Sequence, residues 1–246
     1  MDVGAGAVAP AAVAHLARHR TLPVVDPLAP LLPSGALVRG QTVSCRGVAA
    51  PSLALALAVE ATATGSWLAV VDVPWLGVEA AAELGIPLER LVRVDGRAAG
   101  DWADLTAAVL DGFEVVITRI PRRLDTGARR RVQARVKARE AVLLAVGDPP
   151  GVDVVMEASA PVWEGVEQGW GHLRGRRVTV ESSGRRVPRP RRVDLWLPAP
   201  CGGVAVVDEP PTARHCVPRP HRMLPAQLVA ARSLALARSH DARVLQ

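Results

Sequence analysis

Apolar and polar positions alternate along this chain in two rhythms. Between residues 36 and 146, short apolar runs of four or five residues recur, separated by stretches with helical spacing. Residues 42–45 (TVSC) are a short β-branched run and 91–94 (LVRV) a short strand, while the runs at 67–71, 114–117 and 141–146 are apolar and nearly continuous. Such continuous runs fit strands buried on both faces of a parallel sheet. The intervening stretches, 53–63, 78–84, 101–111 and 126–139, place apolar residues three and four apart, which predicts helices. Gly65 and Gly85 read as helix stops, and Asp101 as an N-cap. This strand–helix alternation argues for a mostly parallel sheet flanked by helices.

Beyond residue 150 the rhythm changes. Residues 152–157, 176–181 and 191–197 read as strands with no helix between them. Ser183-Gly184 is a turn signal that joins the last two into a hairpin. Antiparallel strands are therefore predicted to extend the parallel sheet. A further amphipathic helix is predicted over 7–20, followed by a proline-rich link over 23–33. Pro and Gly crowd residues 199–225, which read as a linker. A last helix over 226–238 carries an apolar stripe at Leu228, Ala231 and Leu234. The expected organisation is an N-terminal helix and linker (1–30), a core (31–198), a linker (199–225) and a C-terminal partner-binding helix (226–246).

Composition changes the picture little. The chain has 246 residues, 49% of them hydrophobic, and a net charge of +6. It is long enough to bury a sizeable core. The positive charge is carried by arginine, with one lysine, Lys137. Such a charge permits contact with an anionic partner. Three cysteines form no spaced framework, and no secretion signal or membrane span is read, so a cytoplasmic protein with reduced thiols is expected.

Candidate chemistry centres on residues 41–52, QTVSCRGVAAPS. A β-branched run leads to Gly47, small residues follow, and then a helix begins. This is the layout of a strand, a phosphate loop and a helix. Gly47, Ala49, Ala50 and Ser52 are the candidate cofactor-binding positions. The loop lacks the Gly-Lys-Ser/Thr ending that grips phosphate and magnesium. Pro51 removes one N–H donor from the cradle. His215, Cys216, His221 and Cys201 fit no zinc spacing, so no metal is expected. Two groups of arginines are candidates for nucleic-acid or partner contact: Arg131, Arg135 and Arg139, at i, i+4 spacing on one helix face, and Arg185, Arg186, Arg189, Arg191 and Arg192 around the hairpin. Trp163 and Trp170 are expected as buried anchors.

These segments, in this order, resemble the core of RecA recombinases. The likeness runs through Leu32-Pro33-Ser34-Gly35, Val38-Arg39-Gly40 and Gly47, and through Ala69-Val70-Val71-Asp72. It continues over residues 82–91 (AELGIPLERL) and the hairpin over 177–197. It implies a RecA-like α/β fold of the P-loop NTPase type with a degenerate nucleotide site. By the same likeness, Thr118 or Arg119 stands where a magnesium-binding aspartate belongs, and Pro74 where a water-activating glutamate belongs. With no lysine in the loop, the resemblance implies a protein that is not an enzyme and needs no cofactor.

Residues 32–47, 163–177 (WEGVEQGWGHLRGRR) and 190–198 (PRRVDLWLP) are similar to the actinobacterial ImuA-prime family. That resemblance implies an accessory scaffold in mutagenic translesion synthesis, within an SOS-type response to DNA damage. Its partner would be an ImuB-like Y-family polymerase homologue, and through it a specialised replicative-type polymerase and the sliding clamp, with possible DNA contact and recruitment to the nucleoid. Two alternatives stay open at this stage: a divergent DNA-dependent ATPase using Arg46 and Ser52, and an SOS cell-division inhibitor.

Overall fold

A computed structural model describes residues 20–96, 101–121, 123–167 and 170–207; the side chains of Glu167 and Trp170 are outside that description. The expected helix over 7–20 falls outside it except for Arg20, and the helix bearing Leu228, Ala231 and Leu234 falls outside it entirely.

The chain enters through β1 (Thr21–Leu22), a 3-10 turn (Asp26–Leu31) and β2 (Leu37–Val38), and β1 pairs antiparallel with β2. Next come β3 (Thr42–Gly47), α1 (Ala50–Ala63), β4 (Leu68–Val71), α2 (Val78–Leu84) and β5 (Leu91–Val94). Then follow α3 (Trp102–Leu110), β6 (Val115–Thr118), α4 (Thr126–Ala138) and β7 (Val142–Val146). The last strands are β8 (Val154–Glu167), β9 (Trp170–Ser183), β10 (Arg191–Trp196) and β11 (Ala205–Val206). Nine strands make one sheet in the order β11-β10-β9-β8-β3-β7-β6-β4-β5. Strands β8, β3, β7, β6, β4 and β5 pair in parallel; β9, β10 and β11 are added antiparallel.

The strand order fixes where the helices lie. The chain moves outward from β3 to β4 and β5, then returns through β6 to β7. Right-handed crossovers in opposite directions put their helices on opposite faces. Accordingly, Val43, Leu68, Val70, Ile117, Leu144 and Met156 point to one apolar cluster with Leu53 and Leu57 of α1 and Leu84 of α2. Ala69, Val71, Val116 and Leu143, one residue out of step, point to the other with Leu110 of α3 and Val132 and Val136 of α4. This period-two alternation is the pleat of a sheet covered on both sides. Asp101 caps α3, its Oδ1 accepting from the Ala103 N–H at 3.0 Å, as read from the sequence.

Four expectations change. The proline-rich link over 23–33 is not a loose tether: Leu28 and Leu31 are fully buried in the first cluster. The linker read from residue 199 begins as packed structure, with Ala199, Val204 and Ala205 buried and β11 paired to β10. Strands expected over 152–157 and 176–181 are each 14 residues long. Cys45 is free and buried, but Cys201 is disulfide-bonded, against the expectation of three reduced thiols.

The added length of β8 and β9 forms a ribbon. Strand β3 stops pairing with β8 at Gly47–Ala158, and β10 stops pairing with β9 at Trp196–Arg177. Beyond those points β8 and β9 pair with each other out to Glu167–Trp170. The ribbon thus projects past the C-terminal ends of the parallel strands.

Candidate functional site

Ligands of open α/β sheets bind outside the C-terminal ends of the strands, and the sequence places its candidate loop there. The connection from β3 to α1 is only Val48 and Ala49, because β3 runs through Gly47 and α1 begins at Ala50. Gly47 has φ +85°, and a Cβ there would lie 2.0 Å from the Ala158 carbonyl oxygen. The Val48 N–H donates to that same oxygen at 3.0 Å. Glycine at 47 therefore lets β3 pass close to β8. The expected six-residue loop is a tight turn, with one of its N–H groups already committed to β8.

Arg46 points away from the turn. Its Nη2 and Nε donate to Glu157 Oε2 at 2.7 and 3.0 Å, and its Nη1 to Asp148 Oδ1 at 3.1 Å. The hydrogen bonds that Arg46 donates to Glu157 chiefly hold the guanidinium in its charged form, pushing its pKa above the ordinary value. Ser52, in the first turn of α1, accepts a bond from Arg176 Nη2 at 2.9 Å. Arg176 also donates to the Leu197 carbonyl at 2.8 Å and stacks on the Trp163 ring, 5.0 Å from its centroid. It is half-buried, and burial lowers its pKa. Gly47, Ala49, Ala50 and Ser52 are thus brought together, in a turn knit to β8 and β9.

The two other positions are likewise engaged. The buried Thr118 hydroxyl accepts from the Trp102 indole N–H at 3.0 Å. Arg119 lies over the Trp75 ring at 5.4 Å, and the Pro74 carbonyl accepts from Arg93 Nη2 at 3.1 Å. Trp102, Glu157, Asp148 and Arg176 escaped the sequence reading. Each meets a partner 16 to 124 residues away, and no local spacing signals such a pairing.

The arginines expected to face a polyanion are largely occupied with the protein itself. Arg135 forms a two-point ion pair with Asp111, which also binds Arg139 Nε at 3.0 Å. Arg131 lies 3.7 and 3.8 Å from Asp101 and Asp104. This face of α4 is zipped to α3. Around β9–β10, Arg185 and Arg186 lie 3.2 and 3.9 Å from Asp153. Arg191 donates to the Pro30 and Leu32 carbonyls, each at 2.9 Å, tying the N-terminal turn to β10. Arg192 reaches the Thr179 hydroxyl at 3.5 Å, and Arg189 is exposed. Trp163 is not a buried anchor: it is 48% exposed.

A cleft of about 360 Å³ opens at the opposite end of the parallel strands, lined by Leu32, Pro33, Leu37, Val43, Val154 and Arg186. Its lining is mostly apolar, without the converging polar groups of a catalytic site. Among the described residues no three His, Cys, Asp or Glu side chains are grouped to hold a metal ion, and no helix is long and apolar enough to cross a membrane.

Fold and site together define an α/β protein with a mostly parallel, helix-flanked sheet, a closed strand-to-helix turn and a projecting antiparallel ribbon. Residues 30–151 match the family model described as the MT3502 N-terminal domain. The chain is 32% identical over 145 residues to the uncharacterized protein Rv3395c of Mycobacterium tuberculosis, a match spanning 55% of this chain and 71% of that protein. The chain belongs to this family.

Proposed function

We propose that the chain is a non-catalytic, RecA-like accessory protein of DNA damage tolerance, an ImuA-prime-type scaffold for an ImuB-like Y-family polymerase homologue. Through that partner it would reach a specialised replicative-type polymerase and the sliding clamp. A parallel sheet extended by antiparallel strands supports the RecA-like reading, and the family is compatible with an ImuA-prime-type protein. One observation carries the non-catalytic part: the turn at Gly47 is closed against the Ala158 carbonyl. A working phosphate loop needs free N–H groups curled round the anion and a lysine reaching it. Here the turn is two residues long, and the nearby cation Arg46 is held by Glu157 and Asp148.

The mechanism is assembly, with the protein presenting surfaces instead of turning over a nucleotide. The test is titration of the purified chain with the purified ImuB-like protein, with and without ATP and magnesium. Binding with an affinity unchanged by nucleotide is expected. ATP turnover abolished by Ser52→Ala would overturn the non-catalytic reading, and absence of binding would overturn the choice of partner.

A further inference from the structure

The ribbon beyond the sheet carries the strongest unassigned feature. Val162, Trp163, Val166 and Leu173 are 48%, 48%, 47% and 56% exposed, although each is a large apolar side chain. They account for four of the seven such residues among those described. Val162 and Trp163 are successive on β8, so they point to opposite faces. The ribbon is therefore apolar on both sides, as suits an element that enters a groove. Clustered exposure of this kind marks an interaction site, whereas scattered single residues do not.

The occupant can be narrowed by charge and by direction. On the ribbon, Glu164 is held by Arg177, with Oε1 and Nε 3.0 Å apart, and Arg176 is turned inward to Ser52 and Leu197. Arg174 and His172 are exposed and have no carboxylate partner among the described residues. Among the described residues, one arginine without a carboxylate partner beside four apolar side chains is a poor match for a phosphate backbone, which is bound by several cations. A second copy would bring the same uncompensated Arg174 to the interface on both sides, since a two-fold contact is self-complementary. The described part of the chain ends away from the ribbon. Val207 leaves β11 opposite Asp194, heading toward Arg191 and away from the ribbon. The N-terminal turn is bound to Arg191 at that same far end.

We propose that the β8–β9 ribbon is a docking tongue for a protein partner that offers an apolar cleft rimmed by carboxylates. The apolar side chains supply the buried area, and Arg174 sets register and orientation against the acidic rim. The inference is independent of which partner that is.

The test places a photoreactive benzoyl-phenylalanine at Leu173 of the full-length chain in its own organism. The captured protein is then purified and titrated against wild type, Val166→Glu and Arg174→Glu. The expected result is a discrete adduct with another protein, and binding weakened at least about tenfold by each substitution with the melting temperature unchanged. Should Val166→Glu disturb folding, Val162→Gln serves in its place. An adduct with a second copy or with nucleic acid, no adduct, or unaltered binding by the variants would overturn the proposal. A captured protein that is not a Y-family polymerase homologue leaves the docking tongue standing and gives no support to the proposed partner, whose own titration decides its case.

Discussion

Gly47 is the residue on which the candidate site turns. Its positive φ is unfavourable for any L side chain, and a Cβ would be driven into the Ala158 carbonyl. Gly47→Ala combines roughly 1–2 kcal/mol for a left-handed residue with roughly 1–3 for overpacking. A loss of about 3 kcal/mol is expected in denaturant unfolding. Gly35 has a similar φ, +67°, with open space round its Cβ position, so Gly35→Ala isolates the conformational share, about 1 kcal/mol. Equal losses at both positions would show that the close approach to β8 carries no cost. The pair Trp102–Thr118 allows a second residue-scale test. Trp102→Phe removes the donor and leaves the buried Thr118 hydroxyl unpaired, at about 1–3 kcal/mol. Adding Thr118→Val removes the orphaned group, so the double variant is expected to be more stable than the two single losses predict. Strict additivity in the cycle would refute an energetic role for this bond.

Among the elements, α3 and α4 depend most on charge. Arg135, and then Arg139, hold the Asp111 carboxyl below its ordinary pKa. A carboxylate whose folded pKa is depressed stabilises the fold above its unfolded pKa, and loses that contribution as pH falls through the folded value. Melting temperature is therefore expected to drop on acidification below about pH 4, and to drop less steeply in Asp111→Asn. Asp125, depressed by the Ala128 and Gly127 N–H groups, titrates in both proteins and cancels from the comparison. Parallel pH curves for wild type and variant would remove Asp111 from the account. The same helices show what a sequence can and cannot reveal. Helix α2 was read with its full extent, residues 78–84, because Gly85 in the left-handed region stops it. The buried strands β4, β6 and β7 are legible because their apolar residues run nearly unbroken. Ions on α4 could be read only as a charged stripe, since Asp111 caps the end of another helix. The ribbon was missed for a related reason. Pro161, Gly165, Gly171 and Gly175 interrupt the strand pattern over 159–176, and a bulge between Ser159 and Val162 breaks its period.

At the scale of the whole molecule, the sheet separates two ends. The ribbon stands at the end where β8 outruns β3, while both described chain termini lie toward Arg191. A scaffold that binds one large partner at both ends gains from linkage, because the second contact forms at high effective concentration. The apolar stripe at Leu228, Ala231 and Leu234 is the natural second contact, in line with its reading as a partner helix. That stripe belongs to residues 226–246. Their removal is expected to leave the melting temperature unchanged and to weaken capture of the proposed ImuB-like partner about tenfold or more. Combining the truncation with Val166→Glu should then abolish capture, since neither end remains to hold the partner. Undiminished capture by the truncated chain would refute the role of the C-terminal segment. A lowered melting temperature would instead assign those residues to the fold.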